Sequence, residues 1–141
     1  YCTSSVIFER LNSKKFRNRN AASLMLDQSF IAGIGNYLRS EILHQSGVNP
    51  SAKPRLLSDD KLQRWAEKTK TLSVLSYETA GLTVPEGVAM KGKERGEPRR
   101  SYRHSAFCRN ELPCHYCGTE IVRIRVANRR LDFCPECQKN L

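Results

Sequence analysis

The chain has no run of about 18 apolar residues, so nothing in it reads as a membrane span. Its opening residues lack the charged-then-apolar pattern of a secretory signal. It also lacks an initiator Met: residue 1 is Tyr, which is what a processed product or an excised piece of a longer chain would show. Acids are scarce. Asp+Glu number 14 against 24 Lys+Arg, a net charge of +10. That excess excludes an acidic, solubilising scaffold and points to a polyanionic partner. Apolar residues are 39% of 141, so any core is modest, and modules of this size often recruit a metal or disulfides. Apart from one pair of cysteine knuckles there is no internal repeat.

Six cysteines are present: Cys2, Cys108, Cys114, Cys117, Cys134 and Cys137. The last four form two Cys-x-x-Cys pairs with 16 residues between Cys117 and Cys134. Two such knuckles suit one zinc ion in a closed, tetrahedral, structural site. Disulfides across Cys-x-x-Cys would close tight, strained loops, and no secretion signal accompanies them. Cys2 and Cys108 read as reduced thiols, in keeping with a reducing cytosol. His115 lies inside the first knuckle and is a further possible ligand, although four cysteines complete the set. His44 and His104 have no visible partner.

The composition divides the chain into a helical part (1–82), a basic and irregular linker (83–105) and a cysteine-bearing part that alternates like strands (106–141). Helices are expected over Ser5–Lys15, where Val6, Phe8, Leu11 and Phe16 form an apolar stripe, and over Asn20–Phe30. The segment Ala32-Gly33-Ile34-Gly35-Asn36 stops the second, since its two glycines permit positive φ. Asn36 then serves as N-cap of a helix over Tyr37–Gln45, with Gly47 as its C-terminal stop. A longer helix starts near Ser58, carries Asp59 and Asp60 in its first turn and runs toward Glu78. A glycine turn feeding a helix start brings backbone N–H groups close to an anion, which in so basic a chain is a nucleic-acid phosphate. A plain helix connection would use the same glycines for geometry alone.

In the last part, Ile121, Val122, Ile124 and Val126 alternate with Arg123 and Arg125 as a hairpin strand. Residues 127–130 form its tip, and Leu131-Asp132-Phe133 the return strand. Arg129 and Arg130 at that tip suit phosphate contact, although a solvated tip carries the same residues. The 83–105 linker holds Lys91, Lys93, Arg95, Arg99, Arg100 and Arg103, while Gly92, Gly96 and Pro98 argue against regular structure. The fold expected is therefore mainly α with a small β zinc ribbon: a helical bundle followed by a four-cysteine zinc finger on a two-stranded hairpin.

The stretch from Leu26-Asp27-Gln28-Ser29-Phe30 through Gly33-Ile34-Gly35-Asn36-Tyr37-Leu38-Arg39-Ser40-Glu41-Ile42-Leu43 resembles the helix–two-turn–helix signature of the formamidopyrimidine-DNA glycosylase and endonuclease VIII family. The tail from Cys114 through Cys137-Gln138-Lys139 is similar to that family's zinc finger. Phe16-Arg17-Asn18-Arg19 and Tyr37-Leu38-Arg39 favour the endonuclease VIII branch.

The resemblance implies base-excision repair of oxidised bases, mainly pyrimidines, by base flipping and β,δ-elimination through a Schiff base. It implies that Asn36, with the turn at Gly33 and Gly35, contacts the phosphate beside the lesion. It gives Arg129, five residues before Cys134, the role of gripping phosphates and assisting δ-elimination, with Arg130 as a helper. A guanidinium is a poor proton donor at neutral pH, so the contribution expected of Arg129 is electrostatic. The family's nucleophile is an N-terminal proline followed by glutamate, in a separate catalytic domain. This sequence has Tyr1-Cys2, so it reads as the DNA-binding half, inactive by itself. Its implied partner is duplex DNA with a damaged or abasic site, bound by a monomer, with no membrane involved, in the cytoplasm at the nucleoid, or in the nucleus of a eukaryote. The alternatives are a non-enzymatic zinc module for nucleic acid, of ribosomal or transcription-factor type, and a zinc module for protein partners.

Overall fold

A computed structural model describes residues 3–79 and 81–139; Cys2 lies outside them. The architecture is mainly helical with one two-stranded antiparallel hairpin. Helix α1 spans Ser4–Leu11, capped by the Thr3 hydroxyl, which accepts from Val6 N. It stops at Asn12, short of the Lys15 expected, and 3₁₀-like turns follow. Helix α2 is a single turn, Ala21–Leu24, with Asn20 Oδ1 accepting from Ser23 N. The helix expected to reach Phe30 ends early because Asp27 takes over the backbone. Its Oδ1 accepts from Ser29 N at 2.8 Å, an Asx turn, and its Oδ2 pairs with Arg19.

Helix α3 spans Asn36–Ser46 and ends on Gly47, whose φ of +69° is the left-handed cap that glycine allows. Helix α4 spans Asp59–Glu78, capped by Ser58, with Asp59 and Asp60 in its first turn. These are the two elements that the sequence located most closely. The core lies among α1, α2, α3 and α4. Trp65, Leu11, Leu24, Met25, Ile42 and Leu43 are all sealed from solvent there. Phe16 and Phe30 meet edge-on with ring centroids 5.2 Å apart.

The 83–105 segment departs from the expected irregular structure. Helix α5 spans Glu86–Glu94 and α6 spans Arg99–Tyr102, with Pro85 and Pro98 just ahead of them. Gly92 breaks nothing: a Cβ there would stand 2.4 Å from the Tyr102 ring, so the missing side chain is what lets α6 lie against α5.

Strands β1 (Val122–Val126) and β2 (Arg129–Phe133) pair in register from Val122↔Phe133 to Val126↔Arg129. The connection is a two-residue turn, Ala127-Asn128, both with positive φ (53° and 63°), which is the twist-matched hairpin turn. Arg129 and Arg130 therefore stand in the first positions of β2, not in a four-residue tip. Leu131 points into the helical core, and Ile124, Val126 and Phe133 pack on it. The hairpin thus lies against α3. No described helix is long and apolar enough to cross a membrane.

Candidate nucleic-acid interface and metal centre

The turn before α3 is stitched by side chains. Gln28 Oε1 accepts from Gly33 N at 3.2 Å, and Gly33 has φ +88°. Gly35, not Asn36, occupies the N-cap: its backbone is extended (φ −89°, ψ −176°) and Asn36 is the first helical residue. The reason lies in the Asn36 side chain. Rather than turning back onto the helix N–H groups, its Oδ1 accepts from Arg39 Nη2 at 2.9 Å. No atom lies within 4 Å of where a Cβ would stand on Gly33 or Gly35, so the surface in front of both is open.

Arg39 is fully buried on α3. Its Nη1 donates to Ala22 O at 3.0 Å, and its Nη2 donates both to Asn36 and to Arg130 O at 3.0 Å. One guanidinium therefore joins the α2 turn, the Asn36 amide and the backbone of β2. Burial lowers its pKa to about 10, and the nearby charge of Arg129 adds to the shift. Arg129 and Arg130 are themselves exposed. Arg39, to which sequence reasoning gave no role, thus ties Asn36 to the backbone of Arg130; Arg129 precedes Arg130 at the start of β2, and Gly33 and Gly35 lie in the turn that leads into Asn36.

Glu41, two residues further on, faces away into the protein and is fully buried. Its carboxylate accepts the backbone N–H groups of Ser105, Ala106 (2.7 Å) and Phe107 (2.9 Å) and the Thr83 hydroxyl (2.7 Å). Burial pushes this carboxyl up, and the four donors oppose it. Because Thr83 Oγ1 donates to Glu41, His104 Nδ1, 2.7 Å away, is the donor to Thr83. Burial, with Arg103 and Arg99 nearby, lowers His104 to about 4. Tyr37, His104, Phe107, Arg103 and Ser76 line a recess of about 380 Å³ next along α3 from Asn36.

The hairpin carries a second buried acid. Asp132 accepts from its cross-strand neighbour Arg123 (Nε, 2.8 Å) and from Cys108 N at 2.7 Å. Cys108 is an exposed free thiol.

The four knuckle cysteines converge. Cys114 and Cys137 sulfurs are 3.8 Å apart, Cys117 and Cys134 3.4 Å, and Cys117 and Cys137 3.6 Å. Four thiolates at a Zn–S bond of about 2.3 Å would stand about 3.8 Å from one another, so the donors fit a tetrahedral zinc ion. Each knuckle also donates a backbone N–H to sulfur: Tyr116 N to Cys114 at 3.5 Å and Cys137 N to Cys134 at 3.4 Å. Hydrogen bonds from Thr119 lower the Cys117 thiol to about 6. The histidine brought to this cluster is His44, from α3, not His115 from inside the knuckle. Gln138, fully buried, ties the second knuckle down: Oε1 accepts from Cys134 N (2.9 Å) and Nε2 donates to Val48 O (2.9 Å). His44 and Gln138 carry no spacing signal toward their partners, which lie 70 and 90 residues away in sequence.

Residues 2–84 match the family described as the formamidopyrimidine-DNA glycosylase H2TH domain, and residues 111–140 match the zinc finger found in FPG and IleRS. Endonuclease 8 of Escherichia coli O17:K52:H18 is 40% identical over 136 residues, and that of Shigella sonnei 38%. Both alignments take in 96% of this chain and 48% of the relative, so the chain spans about half the length of the curated relatives it matches. Among solved structures, the MutM (Fpg) protein of Thermus thermophilus superimposes with a TM-score of 0.76 at 27% identity, over 99% of this chain and 51% of that one. The Lactococcus lactis Fpg bound to DNA containing an abasic site shares the fold, with a TM-score of 0.75 at 21% identity, over 97% of this chain and 46% of that one.

Proposed function

Because this chain belongs to the formamidopyrimidine-DNA glycosylase H2TH family, we propose that it is the DNA-binding portion of a base-excision-repair DNA glycosylase/AP lyase of the endonuclease VIII branch. The whole enzyme acts on duplex DNA bearing an oxidised base, chiefly a pyrimidine, or an abasic site. It flips the damaged nucleotide and cuts the strand by β,δ-elimination. The 141 residues hold the DNA and do not by themselves form a Schiff base. They work as a monomer, in the cytoplasm at the nucleoid or in a eukaryotic nucleus.

The observation that carries this reading is the Arg39 bridge between the Asn36 amide and the Arg130 backbone. A phosphate offers only acceptors. By donating to Oδ1, Arg39 fixes the Asn36 amide so that Nδ2, the donor, is the group left to meet a phosphate. The open surface at Gly33 and Gly35 admits the sugar–phosphate chain against the backbone. Arg129, exposed at the start of β2, supplies a permanent charge for the next phosphates and for the charge that builds up as the phosphate departs. Arg130 is held by its carbonyl and assists from beside it. An extruded base has aromatic faces to meet in the recess walled by Tyr37, His104 and Phe107. One zinc ion, held by Cys114, Cys117, Cys134 and Cys137, supplies structure and has no open position for chemistry.

Binding of the full chain to an abasic-analogue duplex, an intact duplex and a structured RNA at one salt concentration tests the proposal. Preference for the abasic duplex is expected, and Asn36→Ala and Arg129→Ala should each cost about tenfold or more with unchanged circular dichroism. Tighter binding to the RNA would favour the non-enzymatic module instead. A borohydride-trapped adduct with abasic DNA would contradict the assignment of the nucleophile elsewhere.

A further inference from the structure

His44 sits in the last turn of α3, the helix whose first residue is Asn36. Its Nε2 lies 3.5 Å from Cys114 Sγ, and with the sulfurs of Cys114, Cys134 and Cys137 it forms a group of atoms all within 4.8 Å of one another. The residue is 4% exposed, and its Nδ1 is buried with no hydrogen-bond partner among the described residues. A neutral imidazole carries one N–H. A buried N–H without an acceptor is rarer and costlier than a bare lone pair. The hydrogen therefore belongs on Nε2, facing sulfur. The Tyr116 ring, centroid 5.6 Å away, holds the imidazole from the side.

Four thiolates around a divalent ion leave the cluster negatively charged, and N–H donors to sulfur relieve that charge. Those of Tyr116 and Cys137 come from within the finger. The donor on His44 comes from the helix that carries the phosphate-contacting turn. We propose that His44 is a positioning residue of the metal centre: its Nε2–H donates to the zinc-bound Cys114 thiolate and locks the C-terminal end of α3 to the finger. The inference rests on reading the four cysteines as a zinc site. Tetrahedral zinc takes four donors and the thiols supply four, so the imidazole stands outside the coordination sphere.

The full chain loaded with cadmium-113 and labelled with nitrogen-15 on histidine tests this. The expected result is a four-thiolate cadmium shift and a scalar coupling from the His44 Nε2–H to cadmium across the hydrogen bond. His44→Phe should abolish the coupling, leave the ligand-field bands of the cobalt form in place, and weaken zinc binding about tenfold in competition with a chelator. A metal-loaded wild type with no coupling, or with the proton on Nδ1, overturns the proposal. So do cobalt bands that move in His44→Phe, since His44 would then be a ligand. Failure to bind metal at all would instead remove the zinc reading. If His44→Phe does not fold, the wild-type coupling decides alone.

Discussion

Arg39 places a buried cation where three acceptors meet: Ala22 O, Asn36 Oδ1 and Arg130 O. Arg39→Met keeps the volume but takes the donor from the buried Ala22 carbonyl, at about 1–3 kcal/mol when unsatisfied, and from the partly buried Arg130 carbonyl at a smaller cost. It also frees the Asn36 amide to turn. The variant should lose stability by chemical denaturation and bind abasic-analogue duplex at least tenfold more weakly, and wild-type affinity in a folded Arg39→Met protein would deny Arg39 its orienting role. His104 makes a pH prediction. Its pKa is lowered to about 4 in the folded chain, mainly by burial, against an ordinary value near 6.5. The unfolded state therefore binds more protons between those values, so stability falls as pH drops from about 6.5 toward 4, by up to about 3 kcal/mol. His104→Gln should flatten that slope in zinc-saturated protein, as read by denaturant midpoints across the range. Such residues are the least legible part of the sequence. Arg39, Glu41 and His44 look like polar positions on an amphipathic helix. Apart from Asn36, the partners lie 17 or more residues away, at Ala22, Thr83, residues 105–107, Cys114 and Arg130, and nothing in local spacing encodes them.

Segments were legible where their cause is local. The α4 start follows from Ser58 and two acids, the α3 stop from Gly47, and the metal knuckles from two Cys-x-x-Cys pairs. Boundaries failed where a side chain competed with helix, as Asp27 does by capturing Ser29 N. The α5–α6 pair was hidden for a different reason: its glycine and prolines look like breakers but act as a contact and as helix starts. Gly92→Ala should therefore push Tyr102 aside and cost about 1–3 kcal/mol by overpacking. An unchanged melting temperature would mean that α6 does not rest on α5. Zinc removal by chelation, or serine at any one of the four ligand cysteines, should melt the hairpin and expose Leu131 while most helical ellipticity survives. Retained stoichiometric zinc in such a variant would remove that cysteine from the ligand set.

At the level of the entire chain, a net charge of +10 and a modest core suit the DNA-binding role proposed above. The sequence also suggests parts strung along a linker, whereas Leu131, Gln138, Glu41 and Arg39 interlock the hairpin, α3 and the 103–107 segment. That interlocking gives Asn36 and Arg129 a fixed relation to each other, and the proposed function requires it. Phosphate-ethylation interference on a duplex with a single abasic analogue tests it most directly. The account predicts one run of interfering phosphates beside the lesion that disappears in Asn36→Ala, and an adjoining run on the same strand that disappears in Arg129→Ala. Patterns unchanged in both variants, or runs that do not adjoin, would contradict it.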